Sequence, residues 1–238
     1  MAETLLRLSG VHSGYGDVPV LWGVDLDVAQ GEIVCLVGSN GAGKTTLMRT
    51  VSGLLAPTAG TITFEGRELA GAAPEATLGA GIAQVPEGRR LFAAMSVRDN
   101  LLMGAYLRKD AGIASDLARM YGLFPILRDR QDQHAGTLSG GEQQMCAIAR
   151  GLMGAPKLLL IDELSLGLAP AIVDQLCDTL RALNGEGLTL LVVEQDVAIA
   201  LELATRAFVM DTGRVTRSGP SEVLRDDPAI REAYLGSI

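Results

Sequence analysis

The sequence contains few of the residues that build disulfide scaffolds, thiol metal centres and aromatic surfaces. Of its 238 residues only three are cysteine, and 4% are aromatic. The three cysteines, Cys35, Cys146 and Cys177, lie far apart in apolar segments and lack the spacing of metal ligands. We therefore expect reduced cysteines in the protein core. With so few aromatic residues, any single aromatic side chain beside a candidate site becomes informative.

Long hydrophobic runs and an excess of positive charge are also missing. No apolar run approaches the roughly 18 residues that a membrane-spanning helix requires. Glu3 and Arg7 interrupt the first residues, so we expect no secretory signal and a cytoplasmic location. The formal net charge is -8 at pH 7. Because nucleic-acid backbones are bound by basic surfaces, we expect no nucleic-acid partner.

What the sequence does contain is a phosphate-binding pattern between an apolar strand and a helix. The segment 33–53 reads IVCLVGSNGAGKTTLMRTVSG, which fits the template G-x-x-x-x-G-K-[ST]. Glycines allow backbone N–H groups to turn inward around phosphate oxygens, and the helix N-terminus adds further free N–H groups. The predicted nucleotide contacts are Gly38, Ser39, Asn40, Gly41, Ala42, Gly43, Lys44, Thr45 and Thr46.

Three side chains of this loop have distinct predicted roles. The Lys44 ammonium reaches the β- and γ-phosphates, the Thr45 hydroxyl binds Mg²⁺, and Thr46 contacts the α-phosphate. The alternative interpretation is a plain glycine-rich turn, which the strand before it and the helix after it disfavour. The sequence therefore predicts binding of a nucleoside triphosphate, although the loop alone does not identify the nucleotide or the work done.

The distribution of apolar residues predicts an α/β fold. Buried-strand patterns such as Lys157–Ile161 and Leu188–Val193 alternate with amphipathic helices, which is typical of a mostly parallel sheet covered on both faces. Alternating residues in 4–28 predict an antiparallel β subdomain with an edge strand. From Ser96 to Leu127 the period becomes helical. We therefore predict one domain with a nucleotide-binding core (1–91 and 138–238) and an inserted helical lobe at about 92–137.

A second chemical signal is the pair Asp162–Glu163 at the end of an apolar strand. An isolated acidic pair is usually a solvated turn. Here the pair follows a strand whose carboxyl end should face the ligand crevice of a parallel sheet. Asp162 is then expected to hold Mg²⁺, and Glu163 to orient and polarise the attacking water.

A third signal is the stretch Leu138–Gln144, which reads LSGGEQQ. Ser139 followed by Glu142 three positions later predicts a capping box at a helix N-terminus. This interpretation accounts for the serine and the glutamate but leaves both glycines, Gly140 and Gly141, unexplained.

With these three motifs in this order and spacing, the chain resembles the ABC ATPase family along its whole length. The resemblance rests on segments 38–46, 138–144 and 158–163. It implies that Ser139, Gly140, Gly141 and Glu142 of one subunit cap the ATP held by another subunit in a head-to-tail dimer. Tyr15 matches the adenine-stacking aromatic of the family; the alternative from the residues alone is a turn residue packing on the core.

Several departures narrow the resemblance to the smaller ATPase of branched-chain amino acid importers. Glu87 stands where the family usually has a glutamine that reaches Mg²⁺, and Gln84 lies inside the preceding strand. Gln195 replaces the usual histidine beside the γ-phosphate, and Ala169 replaces an aspartate. The segments 85–90, 165–170, 193–195 and 232–236 also match. Leu164 departs from the proline usual there, which removes a rigid constraint beside the predicted base Glu163.

The resemblance implies ATP and Mg²⁺ as cofactors and a peripheral position on the inner face of the cell membrane. It also implies a second ABC ATPase subunit, two membrane-spanning permease subunits and an extracytoplasmic substrate-binding protein. Importers of urea or short amides have similar ATPases and stay open as an alternative. A non-transport ABC ATPase is disfavoured by the acidic, single-unit chain, because such proteins usually carry two units, long insertions or basic patches.

Overall fold

The computed structural model of the protein describes residues 3–232. Its strands are β1 (Thr4–Tyr15), β2 (Val18–Ala29), β3 (Ile33–Val37), β4 (Ala59–Phe64), β5 (Arg67–Glu68), β6 (Ile82–Val85), β7 (Leu158–Asp162), β8 (Thr189–Glu194), β9 (Arg206–Asp211) and β10 (Arg214–Pro220). Its helices are α1 (Lys44–Val51), α2 (Pro74–Ala80), α3 (Val97–Gly104), α4 (Ile113–Leu123), α5 (Pro125–Asp129), α6 (Gly140–Leu152), α7 (Pro170–Gly185), α8 (Val197–Leu203), α9 (Ser221–Asp226) and α10 (Pro228–Ile230).

The main sheet has six strands in the order β10-β9-β3-β8-β7-β6. All neighbours are parallel except β10, which pairs antiparallel with β9. Every residue of β3, β7 and β8 is buried, in agreement with the apolar runs in their sequences; the polar residues of these strands, Asp162, Thr189 and Glu194, lie at strand ends. The predicted, mostly parallel sheet is confirmed.

The second sheet is antiparallel, with four strands in the order β2-β1-β4-β5. In the predicted edge strand β2, the side chains of Val24, Leu26 and Val28 are buried, as their alternation indicates. The glycine-containing stretch 13–16 has the sequence of a turn, but β1 continues to Tyr15. Pairing of Tyr15 with Val18 extends the ladder and confines the turn to the two residues between them.

Side chains of the main sheet alternate between two hydrophobic cores. In β3, Ile33, Cys35 and Val37 pack with the helices on one face. Val34 and Leu36 pack against α1 and the antiparallel sheet on the other face. All three cysteines are buried and free, as predicted. Helix α1, which follows the phosphate loop, is thus packed on apolar side chains from both sheets.

Three helices, α3 to α5, occupy the segment with the predicted helical period. Ser96 caps α3, since its Oγ accepts a hydrogen bond from Asp99 N at 3.0 Å. Leu101 and Phe124 of this segment belong to the same hydrophobic cluster as Val85 and Ile161 of the main sheet. The helical segment therefore shares a continuous core with the sheet. The lobe boundary at 92–137 stays a prediction.

At the end of the described chain, residues 221–234 have the sequence pattern of a closing helix that Pro228 can interrupt. The structure has two short helices, α9 and α10, separated at Asp227, because the residue before a proline avoids helical backbone. Residues 233–236 of the matched closing segment lie outside the described residues. Between residues 3 and 232, no helix combines the length and apolar character needed to cross a bilayer.

Leu160, which is fully buried in the core between the sheets, tests the importance of this packing. We expect Leu160→Ala to lower the free energy of unfolding by about 2–5 kcal/mol, because it leaves a cavity that the strands cannot close. Urea denaturation measures the change. Val223→Ala, at a side chain that is 64% exposed, is the control and should change stability by less than about 0.5 kcal/mol. Equal effects of the two substitutions would contradict the assignment of this core.

Candidate functional site

The phosphate loop connects the end of β3 to the start of α1 and lies against β9. At Gly38, a Cβ atom would lie 2.2 Å from the carbonyl oxygen of Met210, so no other residue fits this position. The close approach of the two backbones explains the first glycine of the motif. Residues 40–46 of the loop line a cavity of about 430 Å³.

Lys44 is the first residue of α1 and is only 5% exposed. Its Nζ donates hydrogen bonds to the carbonyl oxygens of Gly38 at 2.7 Å and Ser39 at 3.2 Å. It also forms an ion pair with Glu163, with 3.6 Å between Nζ and Oε1. A buried ammonium needs such partners, because water no longer solvates it. The loop therefore encloses a positive charge at its centre.

Thr45, which lines the cavity, forms a polar pair with Asp162, which lies behind it and does not line the cavity. Thr45 Oγ1 donates to Asp162 Oδ1 at 3.3 Å. Asp162 is 1% exposed, and its Oδ2 has no hydrogen-bond partner among the described residues. Burial raises the pKa of Asp162 to about 6, and the nearby charges of Glu163 and Glu87 add to this shift.

The Thr45 hydroxyl and the buried Asp162 carboxylate, whose Oδ2 is unpartnered, are oxygen ligands that suit a hard divalent cation. Mg²⁺ typically takes one or two protein carboxylates and completes its shell with waters and phosphate oxygens. No group of three or more His, Cys, Asp or Glu side chains within residues 3–232 forms a cage for a metal ion by itself. The donor set therefore fits a cation that shares its ligands with a nucleotide.

Glu163 follows β7 with a backbone φ of 59°, in the left-handed region that is unfavourable for a glutamate. Its side chain lines the cavity, and burial raises its pKa while the charge of Lys44 opposes the shift. The next residue, Leu164, is fully buried in the helix-side core. Apolar packing of the Leu164 side chain restrains the backbone after Glu163. Leu164 occupies the position at which the family usually has a proline.

Glu87 and Gln195 line the same cavity as the phosphate loop. Gln195 follows β8, and Glu87 follows β6, so both come from the carboxyl ends of parallel strands. Two further lining residues, Val20 and Leu166, were not predicted. The alternation of β2 predicts which face of the strand carries Val20. Nothing in the sequence indicates that β2 lies beside the phosphate loop.

Tyr15 lies beside α1 at the end of β1 and does not line the cavity. Its hydroxyl accepts hydrogen bonds from Thr46 Oγ1 at 3.4 Å and Arg49 Nη1 at 3.2 Å. The residue is 43% exposed, so its ring is not part of the core. The ring is thus available next to the phosphate loop, where a base could stack on it.

The LSGGEQQ segment forms the predicted capping box at the start of α6. Ser139 Oγ accepts from Glu142 N at 3.4 Å, and Glu142 Oε2 accepts from Ser139 N at 2.8 Å. A Cβ at Gly141 would lie 2.9 Å from Ile172, which explains one of the glycines. Ser139 to Glu142 line a different cavity, of about 640 Å³, so a single chain does not bring them to the phosphate loop.

Two arginines connect α6 to the segment that carries Glu87. Arg150 donates to the carbonyl oxygens of Arg89 at 2.8 Å and Arg90 at 2.7 Å. Arg89 in turn donates to Gln144 Oε1 of α6 and to the carbonyl oxygen of Leu166, both at 3.3 Å. Arg89 and Arg90 have φ values of 64° and 46°, a strained backbone that these bonds stabilise. No pattern in the sequence indicates this connection.

Comparison with known proteins gives a consistent result. A family profile described as ABC transporter matches residues 21–165. The chain is 44% identical to the high-affinity branched-chain amino acid transport ATP-binding protein BraG of Pseudomonas aeruginosa, over 98% of this chain and 100% of that protein. It is 32% identical to the probable branched-chain amino acid transport ATP-binding protein LivF of Archaeoglobus fulgidus, with the same coverage.

Solved structures agree with these relatives. The fold is similar to that of a nucleotide-free ATP-binding cassette from an ABC transporter, with a TM-score of 0.86, 25% identity and coverage of 98% of this chain and 100% of the other. It is also similar to an ATP-binding cassette in its ADP conformation, with a TM-score of 0.84, 25% identity and coverage of 99% and 100%.

The raised pKa of Asp162 predicts that its charge affects the free energy of unfolding in a pH-dependent way. The folded protein binds this proton more tightly than the unfolded chain, whose aspartate has its ordinary pKa of about 3.9. The stabilisation from protonation is therefore complete below about pH 4 and is lost as the pH rises to about 6. In the metal-free protein, Asp162→Asn should raise the free energy of unfolding at pH 7.5, by up to about 3 kcal/mol, and change it little at pH 4.

Urea denaturation in the presence of a chelator, at both pH values, measures this effect. Asp178→Asn is the control, because Asp178 is exposed and forms a surface ion pair with Arg181; it should change stability by less than about 0.5 kcal/mol at either pH. A loss of stability in Asp162→Asn at pH 7.5 would show that the ionised carboxylate does not destabilise the fold.

Proposed function

Since the chain belongs to the ABC transporter family, we propose that it is the ATP-hydrolysing subunit of an importer for branched-chain or other hydrophobic amino acids. The family makes it an ATPase. The observation that carries the proposal is the full-length similarity to BraG, together with a cavity that unites the phosphate loop, Glu163 and Gln195. The name of the relative supplies the transported substrate class.

The phosphate loop binds ATP through backbone N–H groups and the Lys44 ammonium. On the arrival of ATP, the β- and γ-phosphate oxygens replace the carbonyl oxygens that Lys44 now contacts. The remaining loop contacts are Gly38, Ser39, Asn40, Gly41, Ala42, Gly43, Thr45 and Thr46. The Tyr15 ring stacks on the adenine from the side of α1.

Thr45 and Asp162 hold Mg²⁺, and Glu87 contributes a further oxygen from the segment after β6. When bound, Mg²⁺ neutralises charge that develops on the phosphate oxygens. The free Oδ2 atom of Asp162 supports this role.

Glu163 orients the attacking water and accepts its proton. Burial favours this role, because a raised pKa makes the carboxylate a better proton acceptor. Gln195 donates a hydrogen bond from its amide to the γ-phosphate without changing charge. In-line positioning by these residues supplies most of the acceleration, since phosphoryl transfer needs little covalent help from the protein.

A second subunit completes each site. Ser139, Gly140, Gly141 and Glu142 lie in a cavity apart from the phosphate loop of their own chain, which supports action on the ATP of a partner in a head-to-tail arrangement. The free N–H groups at the start of α6 and the Ser139 hydroxyl are suitable donors to a γ-phosphate. The partner is a second, different ABC ATPase of the same importer.

The membrane partners are two permease subunits, which the chain binds on the inner face of the cell membrane, and an extracytoplasmic protein captures the substrate. An apolar groove supports this docking. Its lining includes five large exposed side chains: Leu54, Phe92, Met103, Tyr106 and Leu107. Contiguous exposed apolar surface is typical of an interaction site. Residues of α2, β6, α3 and α6 line this groove, at the junction that we predict between the helical lobe (about 92–137) and the nucleotide-binding core (1–91 and 138–238).

The role of Glu163 is tested by Glu163→Gln. This variant should still bind Mg-ATP but lower the hydrolysis rate by roughly 10²-fold or more, because the water loses its proton acceptor. The trapped ATP should also increase the fraction of dimer, measured by size-exclusion chromatography with light scattering. Glu186→Gln, an exposed glutamate far from the cavity, is the matched control. Hydrolysis at the parental rate in Glu163→Gln would place the base elsewhere.

Transport is tested by uptake of labelled leucine and labelled urea in cells that carry the parent or the Lys44→Ala variant. We expect leucine uptake to fall to background in Lys44→Ala, because the phosphate loop loses its only buried ammonium contact to the β- and γ-phosphates. Urea uptake should be unchanged. Loss of urea uptake instead would assign the chain to an amide importer, and loss of neither would argue against transport.

A further inference from the structure

Glu194, the last residue of β8, is a buried charged residue without a role in the mechanism above. The residue is fully buried. It lines neither the cavity at the phosphate loop nor the smaller one of about 370 Å³ formed by residues 163, 165–167 and 195–196. Unlike Asp162, whose Oδ2 is unpartnered, Glu194 uses both carboxylate oxygens for contacts within the protein, so we look for its function in those contacts.

The carboxylate of Glu194 joins two loops of the site. Its Oε1 accepts a hydrogen bond from Ser165 N at 2.7 Å, and its Oε2 accepts from Ser165 Oγ at 2.9 Å. Oε2 also accepts from Gln195 N at 3.2 Å. Burial raises the pKa of Glu194 to about 6, while the bonds from Ser165 oppose the shift. A buried carboxylate is retained only when such donors replace its water.

Ser165 lies two residues after Glu163, whose backbone is in the left-handed region. The backbone N–H of Glu163 donates to the carbonyl oxygen of Val193 at 3.0 Å. The turn after β7 is thus tied to β8 at two successive residues of that strand, Val193 through its backbone and Glu194 through its side chain. A strained backbone conformation persists only when surrounding contacts stabilise it. These hydrogen bonds to β8 stabilise the conformation of Glu163.

We infer that Glu194 is a positioning residue for ATP hydrolysis, which holds the loop carrying Glu163 against the loop carrying Gln195. The inference rests on the proposed ATPase role of both residues. Glu194 itself makes no contact with the reacting atoms. Its carboxylate sets the distance and orientation between the proton acceptor on one loop and the amide on the other.

Glu194→Gln tests the inference with little change in size. An amide has one acceptor oxygen and an NH₂ group, so at least one of the N–H donors of Ser165 and Gln195 loses its acceptor. At pH 8, where Glu194 is ionised, we expect kcat to fall roughly ten-fold and the KM for Mg-ATP to change less than about two-fold. In hydrogen exchange, the amides of Ser165 and Gln195 should lose protection.

Thr189→Val is the matched control, because Thr189 is a fully buried polar residue at the other end of the same strand. Its Oγ1 accepts from Gly31 N at 2.9 Å, far from the cavity residues. This variant removes one buried hydrogen bond of β8, so its melting temperature should fall while kcat stays at the parental value. Activity is compared at temperatures well below both melting transitions.

Ser165→Ala provides a second variant, which keeps the carboxylate and removes only the hydroxyl donor. It should lower kcat by roughly three-fold. Combining it with Glu194→Gln should change kcat by less than the product of the two single effects, because both act through one interaction. Should Glu194→Gln be unfolded, the kcat of Ser165→Ala and the protection of the Ser165 and Gln195 amides in that variant decide the outcome.

The inference is overturned if Glu194→Gln keeps the parental kcat, if KM rises while kcat is unchanged, or if Thr189→Val lowers kcat equally. Unchanged protection of the Ser165 and Gln195 amides would also overturn it, and this measurement does not require turnover. Failure of the proposed function has a different signature, because the parent itself would then hydrolyse no ATP while both amides respond to Glu194→Gln.

Discussion

The backbone register of three adjacent parallel strands is the constraint on which the site depends. Val37 of β3 pairs with Glu194 of β8, and Val193 of β8 pairs with Asp162 of β7. All three strands therefore end at the same edge of the sheet, and each is followed by a loop of the cavity. A shift of one residue in this register would turn every side chain of a strand to the opposite face. Burial of both faces specifies the register, because each face packs in its own apolar core.

Buried charge at this edge is the second determinant. Lys44, Asp162, Glu163 and Glu194 each lose water, and the pKa of all three carboxyl groups is raised by burial. Glu194 accepts hydrogen bonds at both of its oxygens, and Lys44 contacts two carbonyl oxygens and Glu163, whereas Asp162 Oδ2 has no partner among the described residues. We propose that Mg²⁺ supplies the missing partner of Asp162, so that ligand binding relieves an electrostatic cost built into the fold.

The contacts of α6 explain how the two cavities can influence each other. Ser139 at its N-terminus lines one cavity, while Arg150 near its C-terminus holds the carbonyl oxygens of Arg89 and Arg90. Glu87, which lines the other cavity, belongs to that same segment. A displacement of α6 would therefore be transmitted to Glu87 through directed hydrogen bonds and a short, strained backbone. The hydrophobic core shared by α3 to α6 and the main sheet limits such displacements to small ones.

Elements with local sequence signals could be predicted from the amino-acid sequence. Apolar runs predicted β3, β7 and β8, glycine spacing located the phosphate loop, and the Ser139–Glu142 spacing predicted the capping box, because each depends on neighbours within a few residues. Contacts between distant segments became known from the three-dimensional structure. No sequence pattern predicts the hydrogen bonds from Ser165 to Glu194 or those from Arg150 to the carbonyl oxygen of Arg89. The same is true of the separation of Ser139 from the phosphate loop. They arise from strand order and helix packing, which bring together residues far apart in the chain.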